Sequence, residues 1–78
     1  MDTIGKLKLT ADEESLLLRA LRAYTTDGPY PEKGNLKYFR TMWALSCLYK
    51  VVRSGGLTEE GLTLADGIVQ KIIDASVN

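Results

Sequence analysis

Apolar residues recur at helical spacing in three segments of this chain, at about 10–26, 35–54 and 58–76. Two short connections that contain glycine separate these segments. The pattern predicts an all-α fold in which residues 1–78 form one compact three-helix domain, with a hydrophobic second helix at its centre. Residues 1–9 alternate weakly between polar and apolar positions, which predicts a short extended N-terminal arm that carries Leu7 and Leu9.

Residues that favour helix ends support these limits. Thr10 and Glu13 have the spacing of a capping box, and Asn35 and Thr58 are suitable N-caps for the second and third helices. The turn sequence Asp27-Gly28-Pro29 is expected to end the first helix, because proline and glycine interrupt helical backbone.

The second segment has the least balanced distribution of apolar residues. When its residues are placed at about 100° per residue, one side is apolar and is expected to pack inward: Leu36, Phe39, Met42, Trp43 and Leu45. The opposite side begins polar and then turns apolar: Lys37, Arg40, Thr41, Ala44, Leu48 and Val51. The sequence therefore predicts that Ala44, Leu48 and Val51, with Tyr49 beside them, form an interface with a partner. In a second interpretation, the N-terminal arm covers this patch through Leu7 and Leu9.

Composition excludes several ways of stabilising a small domain. The chain has 78 residues, a single cysteine, Cys47, and no histidine. An internal disulfide is therefore impossible, and one thiol cannot build a zinc site. Cys47 is expected to be a buried thiol in the middle of the second helix. Small scaffolds without these supports rely on helix packing or on oligomerisation.

Charge and hydropathy narrow the expected environment. Ten basic and ten acidic residues give a formal net charge of zero, which disfavours nucleic acid as a partner and electrostatic docking on a membrane. No apolar run has the length of a membrane-spanning helix, and the first ten residues lack the apolar region of a signal peptide. A cytoplasmic location is expected, with no cofactor and no metal.

A small basic and aromatic group surrounds the predicted start of the second helix: Tyr30, Lys33, Lys37, Tyr38 and Arg40. These residues are expected to form either the polar rim of a protein interface or a site for an anion, since lysine and arginine bind phosphate and carboxylate groups. A solvated face is the simpler interpretation of the same residues.

Binding without catalysis is the expected function. Without histidine the chain has no Ser-His or Cys-His pair, and it has no glycine-rich phosphate loop, so it is not expected to be an enzyme. The sequence favours a small regulatory or adaptor protein, such as an inhibitor of a larger protein, that acts by protein–protein binding as a homodimer. The alternative is a protein that binds a nucleotide or other small anion between subunits. A weak nucleic-acid-binding domain is the third hypothesis.

Overall fold

Three α-helices form the described part of the chain. The computed structural model describes residues 3–77, in which α1 spans Ala11–Tyr24, α2 spans Thr41–Arg53 and α3 spans Glu59–Val77. Two short 3-10 turns, Ile4–Lys6 and Leu36–Tyr38, precede α1 and α2. The predicted all-α three-helix fold is confirmed. Met1 and Asp2 of the predicted arm, and Asn78, lie outside the described residues.

The ends of α1 form as the sequence predicts. The Thr10 hydroxyl accepts a hydrogen bond from the Glu13 N–H at 3.2 Å, and the Glu13 carboxylate accepts one from the Thr10 N–H at 2.9 Å. This capping box satisfies two backbone donors at the start of the helix. At the other end, Thr25 leaves helical geometry and Gly28 has φ = 80°, a conformation that glycine adopts readily.

The second helix begins later than its hydrophobic pattern predicts. Residues 36–38 form a 3-10 turn, and Phe39 and Arg40 are then extended, with ψ near 143° and 139°. Arg40 pairs with Thr3 in an isolated antiparallel bridge, so this backbone is tied to the N-terminal segment instead of continuing a helix. Because the helix is interrupted, the orientation of Leu36 and Phe39 does not carry over into α2.

All three helices contribute to one buried cluster, and α1 makes the most extensive contacts with the other two. Leu17 and Leu21 of α1 are fully buried, as is Ile68 of α3. Only part of the apolar surface of α3 is used in this way. Ala65, Ile68 and Ile72 are buried, whereas the neighbouring apolar positions remain half-buried or exposed.

The N-terminal segment is attached by specific contacts and is not fully extended. The Ile4 N–H donates to the Phe39 carbonyl at 2.9 Å, and Ile4 itself is buried. Gly5 passes so close to the second 3-10 turn that a Cβ there would lie 2.7 Å from the Lys37 carbonyl oxygen. Further along, the Lys71 ammonium donates to the Lys8 carbonyl at 2.7 Å. These contacts fasten the segment to the turn before α2 and to α3.

A partly buried ion pair joins α1 to α3. The Glu13 carboxylate is almost fully buried and accepts a hydrogen bond from the Lys71 ammonium at 2.5 Å. A Cβ at Gly67 would lie 2.8 Å from this carboxylate, so the glycine makes room for it. Burial alone would raise the pKa of Glu13, but the hydrogen bonds from Lys71 and Thr10 and the charge of Lys71 outweigh it, and the pKa lies below its ordinary value.

Candidate binding surfaces on the second helix

The predicted partner patch faces the wrong way. Ala44, Leu48 and Val51 are 0%, 1% and 6% exposed and belong to the core, so the expectation that they face outward is wrong. With α2 beginning at Thr41, the positions that point inward are Thr41 and the residues that follow it at helical spacing. Tyr49 is exposed as expected, on the side of α2 away from the other three.

The outward side of α2 forms a shallow apolar groove with α3. A groove of about 400 Å³ is lined by four residues of α2 and one of α3: Met42, Leu45, Ser46, Tyr49 and Val69. None of them carries a charge. Met42 is 71% exposed and Tyr49 is 64% exposed, although the sequence pattern placed Met42 inward. Three more exposed apolar residues lie along α3: Leu62, Ile73 and Val77. We call this surface the α2–α3 face.

The two helices of this face carry opposite charge. Within Thr41–Arg53, Lys50 and Arg53 are the ionisable residues that are charged at neutral pH, and both are basic. Helix α3 has one basic residue, Lys71, which is paired with Glu13, and four acidic residues: Glu59, Glu60, Asp66 and Asp74. Helix α2 is therefore basic in sum and α3 is acidic in sum. Not all of these charges lie on the α2–α3 face, since Lys50 lies over the Tyr24 and Trp43 rings and Glu59 and Glu60 line grooves with Asp12 of α1.

A second, distinct cleft lies where the α1–α2 connection meets the start of α2. Its volume is about 610 Å³, and most of the surface that lines it is apolar. The lining residues are Thr25, Thr26, Asp27, Pro29, Asn35, Tyr38, Phe39, Arg40 and Trp43. We call it the aromatic cleft. The Trp43 indole donates a hydrogen bond to the Thr25 hydroxyl at 2.9 Å, which fixes the ring against the end of α1.

One basic side chain lines this cleft, and two more lie over its aromatic rings. Arg40 lines it and is exposed, and Arg40 is not part of the ion pair found within residues 3–77. Lys50 lies over the Trp43 ring at 5.8 Å and over the Tyr24 ring at 5.4 Å, both within cation–π range. Lys37 lies over the Tyr38 ring at 5.2 Å.

The predicted basic group does not form one site. Arg40 and Tyr38 line the aromatic cleft, whereas Lys33 and Lys37 line a different groove beside the N-terminal segment. Glu14 also lines that groove and partly offsets the lysine charges. A single site that combines all the predicted residues is therefore absent from residues 3–77.

Tyr30 lies apart from both grooves. It is 60% exposed and packs under Arg22, whose guanidinium is 5.4 Å from the ring. The neighbouring Pro31 is the fully buried residue of this loop, and its carbonyl accepts a hydrogen bond from Arg22 at 2.9 Å. The Asn35 side chain closes the loop by bonding the Glu32 N–H at 2.7 Å and the Tyr30 carbonyl at 2.9 Å.

Cys47 is a buried structural residue. It is 0% exposed, and burial raises the pKa of its thiol despite the opposing effects of Thr25 and Lys50. Within residues 3–77, no cluster of histidine, cysteine and acidic residues could hold a metal ion.

Sequence reasoning missed Met42, Leu45 and Val69 as groove residues, but the sequence did contain a signal. Positions 41, 44, 48 and 51 have regular helical spacing that continues to the end of α2. The side that begins at Met42 and Trp43 instead reaches Ser46, Tyr49 and Lys50, which are polar or amphipathic. The more regular of the two sets is the one that is buried.

Comparisons with known proteins add no functional information. In the part of the chain that the structure describes, no helix has the length and apolar character needed to cross a membrane. Searches against protein-family models, curated proteins and solved structures found no match to this chain.

Proposed function

We propose that this chain is a non-catalytic binding protein that pairs with a second copy of itself through the α2–α3 face. The observation that carries the proposal is the uncharged groove between the two helices, together with further exposed apolar residues along α3. Contiguous apolar surface on a small soluble domain is typical of interaction sites.

Charge favours a second copy as the occupant of this face. In a two-fold symmetric dimer the same patch contributes from both subunits, so α2 of one copy can lie against α3 of the other. That arrangement brings a helix of net positive charge to a helix of net negative charge twice. The zero net charge of the chain also removes overall repulsion between copies.

The dimer is the proposed working form of a regulatory or adaptor protein, including an inhibitor of a larger protein. Its aromatic clefts lie outside the groove residues of the α2–α3 face, so pairing leaves two clefts open. A cytoplasmic location is part of the proposal. It is supported by the lone Cys47, which cannot form a disulfide within the chain.

Sedimentation equilibrium of matched variants tests self-association. Tyr49 and Tyr38 are 64% and 69% exposed, but only Tyr49 lines the α2–α3 groove. Tyr49→Glu places a negative charge in an apolar contact and is expected to shift the protein to monomer. Tyr38→Glu is the control and is expected to leave the dimer intact. Circular dichroism checks that both variants keep their helices.

The proposal fails if the wild-type protein is monomeric at hundreds of micromolar. It also fails if Tyr38→Glu dissociates the dimer as effectively as Tyr49→Glu, because the contact would then lie elsewhere on the molecule.

A further inference from the structure

We infer that the aromatic cleft binds a small planar aromatic carboxylate, with its ring among Tyr38, Phe39 and Trp43 and its carboxylate on Arg40. This inference goes beyond self-association and uses a different part of the surface. Ligand sites are concave and mostly apolar, with a few polar groups that fix orientation. The cleft fits that description, since its volume is about 610 Å³ and its polar groups lie among aromatic walls.

The walls of the cleft are held in place before any ligand arrives. Trp43 is fixed by its hydrogen bond to the Thr25 hydroxyl, and Pro29 follows the turn at Gly28. Asn35 bonds two backbone groups of the adjoining loop. Prior ordering of this kind lowers the entropy lost on binding. Because aromatic side chains prefer stacked or edge-to-face contact with other rings, a planar aromatic group is the ligand that these walls favour.

The charged lining selects a single negative charge. Arg40 can donate two parallel hydrogen bonds to a carboxylate, and its guanidinium belongs to no ion pair within residues 3–77. Arg40 is the basic side chain that lines the cleft, whereas the Lys37 and Lys50 ammonium groups lie over the Tyr38 and Trp43 rings outside that lining. Asp27 also lines the cleft and disfavours negative charge beyond the one that Arg40 binds. The cleft therefore favours a monoanion.

Two probes of the same shape test the role of charge. The probes are 2-naphthoate, which has a carboxylate, and 2-naphthamide, which is neutral. Trp43 is the only tryptophan of the chain, so its indole N–H gives one assignable NMR signal inside the cleft. Titration of the wild-type protein is expected to shift this signal with both probes. The naphthoate is expected to bind about 10-fold more tightly, because hydrogen bonds to charged groups are the stronger ones.

Substitution of arginine separates the cleft from general charge effects. Arg40→Gln is expected to reduce naphthoate affinity about 10-fold and to leave naphthamide affinity unchanged. Arg53→Gln is the matched control, since Arg53 lies at the far end of α2 and outside the cleft, and it should change neither affinity. No shift of the Trp43 signal at millimolar naphthoate would overturn the inference. Equal affinity for the two probes, or an equal effect of the two substitutions, would overturn it as well.

The same titration on Tyr49→Glu keeps this inference separate from the proposed self-association. Tyr49 does not line the cleft, so naphthoate is expected to bind this variant as it binds the wild type. Loss of naphthoate binding in Tyr49→Glu, with the helices retained, would contradict a cleft that lies within one subunit.

Discussion

Leu48 and Tyr49 are neighbours in α2 with opposite surroundings, and their replacement by alanine tests how the helix is oriented. Leu48 is 1% exposed and lies in the core, whereas Tyr49 is 64% exposed. An α2 rotated to expose Leu48 would reverse the effects of the two substitutions. The two substitutions therefore test the orientation of α2, on which both the α2–α3 face and the aromatic cleft depend.

The magnitudes follow from burial. Leu48→Ala removes a fully packed side chain and leaves a cavity, which costs about 3 kcal/mol of unfolding free energy. A domain of 78 residues has a total stability of roughly 4–12 kcal/mol, so this loss is a large part of it. Tyr49→Ala removes a side chain from the surface of the monomer and should change stability by no more than about 0.5 kcal/mol.

Urea unfolding followed by circular dichroism at 222 nm measures both effects. With a slope of about 1 kcal/mol per molar urea, Leu48→Ala should lower the midpoint by about 3 M. The protein is kept dilute, so that the monomer predominates. At high concentration Tyr49→Ala should acquire a further loss of stability, because it weakens the dimer and dimer stability depends on concentration.

One result would refute this orientation of α2. If Tyr49→Ala lowers the midpoint of the dilute protein more than Leu48→Ala does, the core face of α2 has been assigned wrongly. The α2–α3 face would then have to be abandoned as a binding surface.

Three further substitutions or reactions test the packing around the sites. The lowered pKa of Glu13 means that its carboxylate stabilises the fold above the unfolded value near 4.5 and that this contribution is lost as pH falls through the folded pKa. Thermal unfolding measured at pH values from 6 to 3 should therefore show a larger loss of stability in the wild type than in Glu13→Gln. Gly5→Ala should destabilise the fold by about 1–3 kcal/mol in urea unfolding, since its Cβ would meet the Lys37 carbonyl, whereas Gly34→Ala has open space and should have little effect. Cys47 should react with a thiol reagent at a rate that rises steeply with urea, because its thiol is buried and its pKa is raised.

Helix capping was the part of the fold that local sequence determined most directly. The Thr10–Glu13 capping box needs only residues within one turn, and it forms as predicted. Thr58 likewise accepts a hydrogen bond from the Gly61 N–H at 3.1 Å. Both of these caps use only residues within one turn. The predicted Asn35 cap of the second helix is wrong, because α2 begins after Arg40 and the Asn35 side chain bonds the Glu32 N–H and the Tyr30 carbonyl instead.

The start and rotation of α2 depended on a contact with a distant residue. Arg40 is extended because it pairs with Thr3, and no local pattern around Arg40 announces this bridge. A helix that begins at Asn35 would turn Leu36 and Phe39 toward the core and fix its inward face from them, but both residues lie outside α2. When the inward face of a helix is assigned wrongly at its start, every later side chain is placed on the wrong side of the helix.

The candidate sites could be predicted only in part for the same reason. Tyr49, Arg40 and Tyr38 were identified as surface residues from composition and position, and they are exposed. The groove at Met42 and Val69 required the correct rotation of α2 and its packing against α3. Grooves between separate helices depend on how the helices pack together, and the spacing of apolar residues within one helix does not predict that packing.

Intermolecular contacts in a mixed sample test most directly whether two copies pair through the α2–α3 face. Isotope-labelled and unlabelled copies are combined, and a filtered NOE experiment then detects only protons that lie close together across the subunit boundary. Pairing through the α2–α3 face predicts contacts from the Met42 methyl group of one copy to the Val69 or Ile73 side chains of the other. A dimer whose intermolecular contacts come from the aromatic cleft, or a sample with no intermolecular contacts at hundreds of micromolar protein, would contradict it.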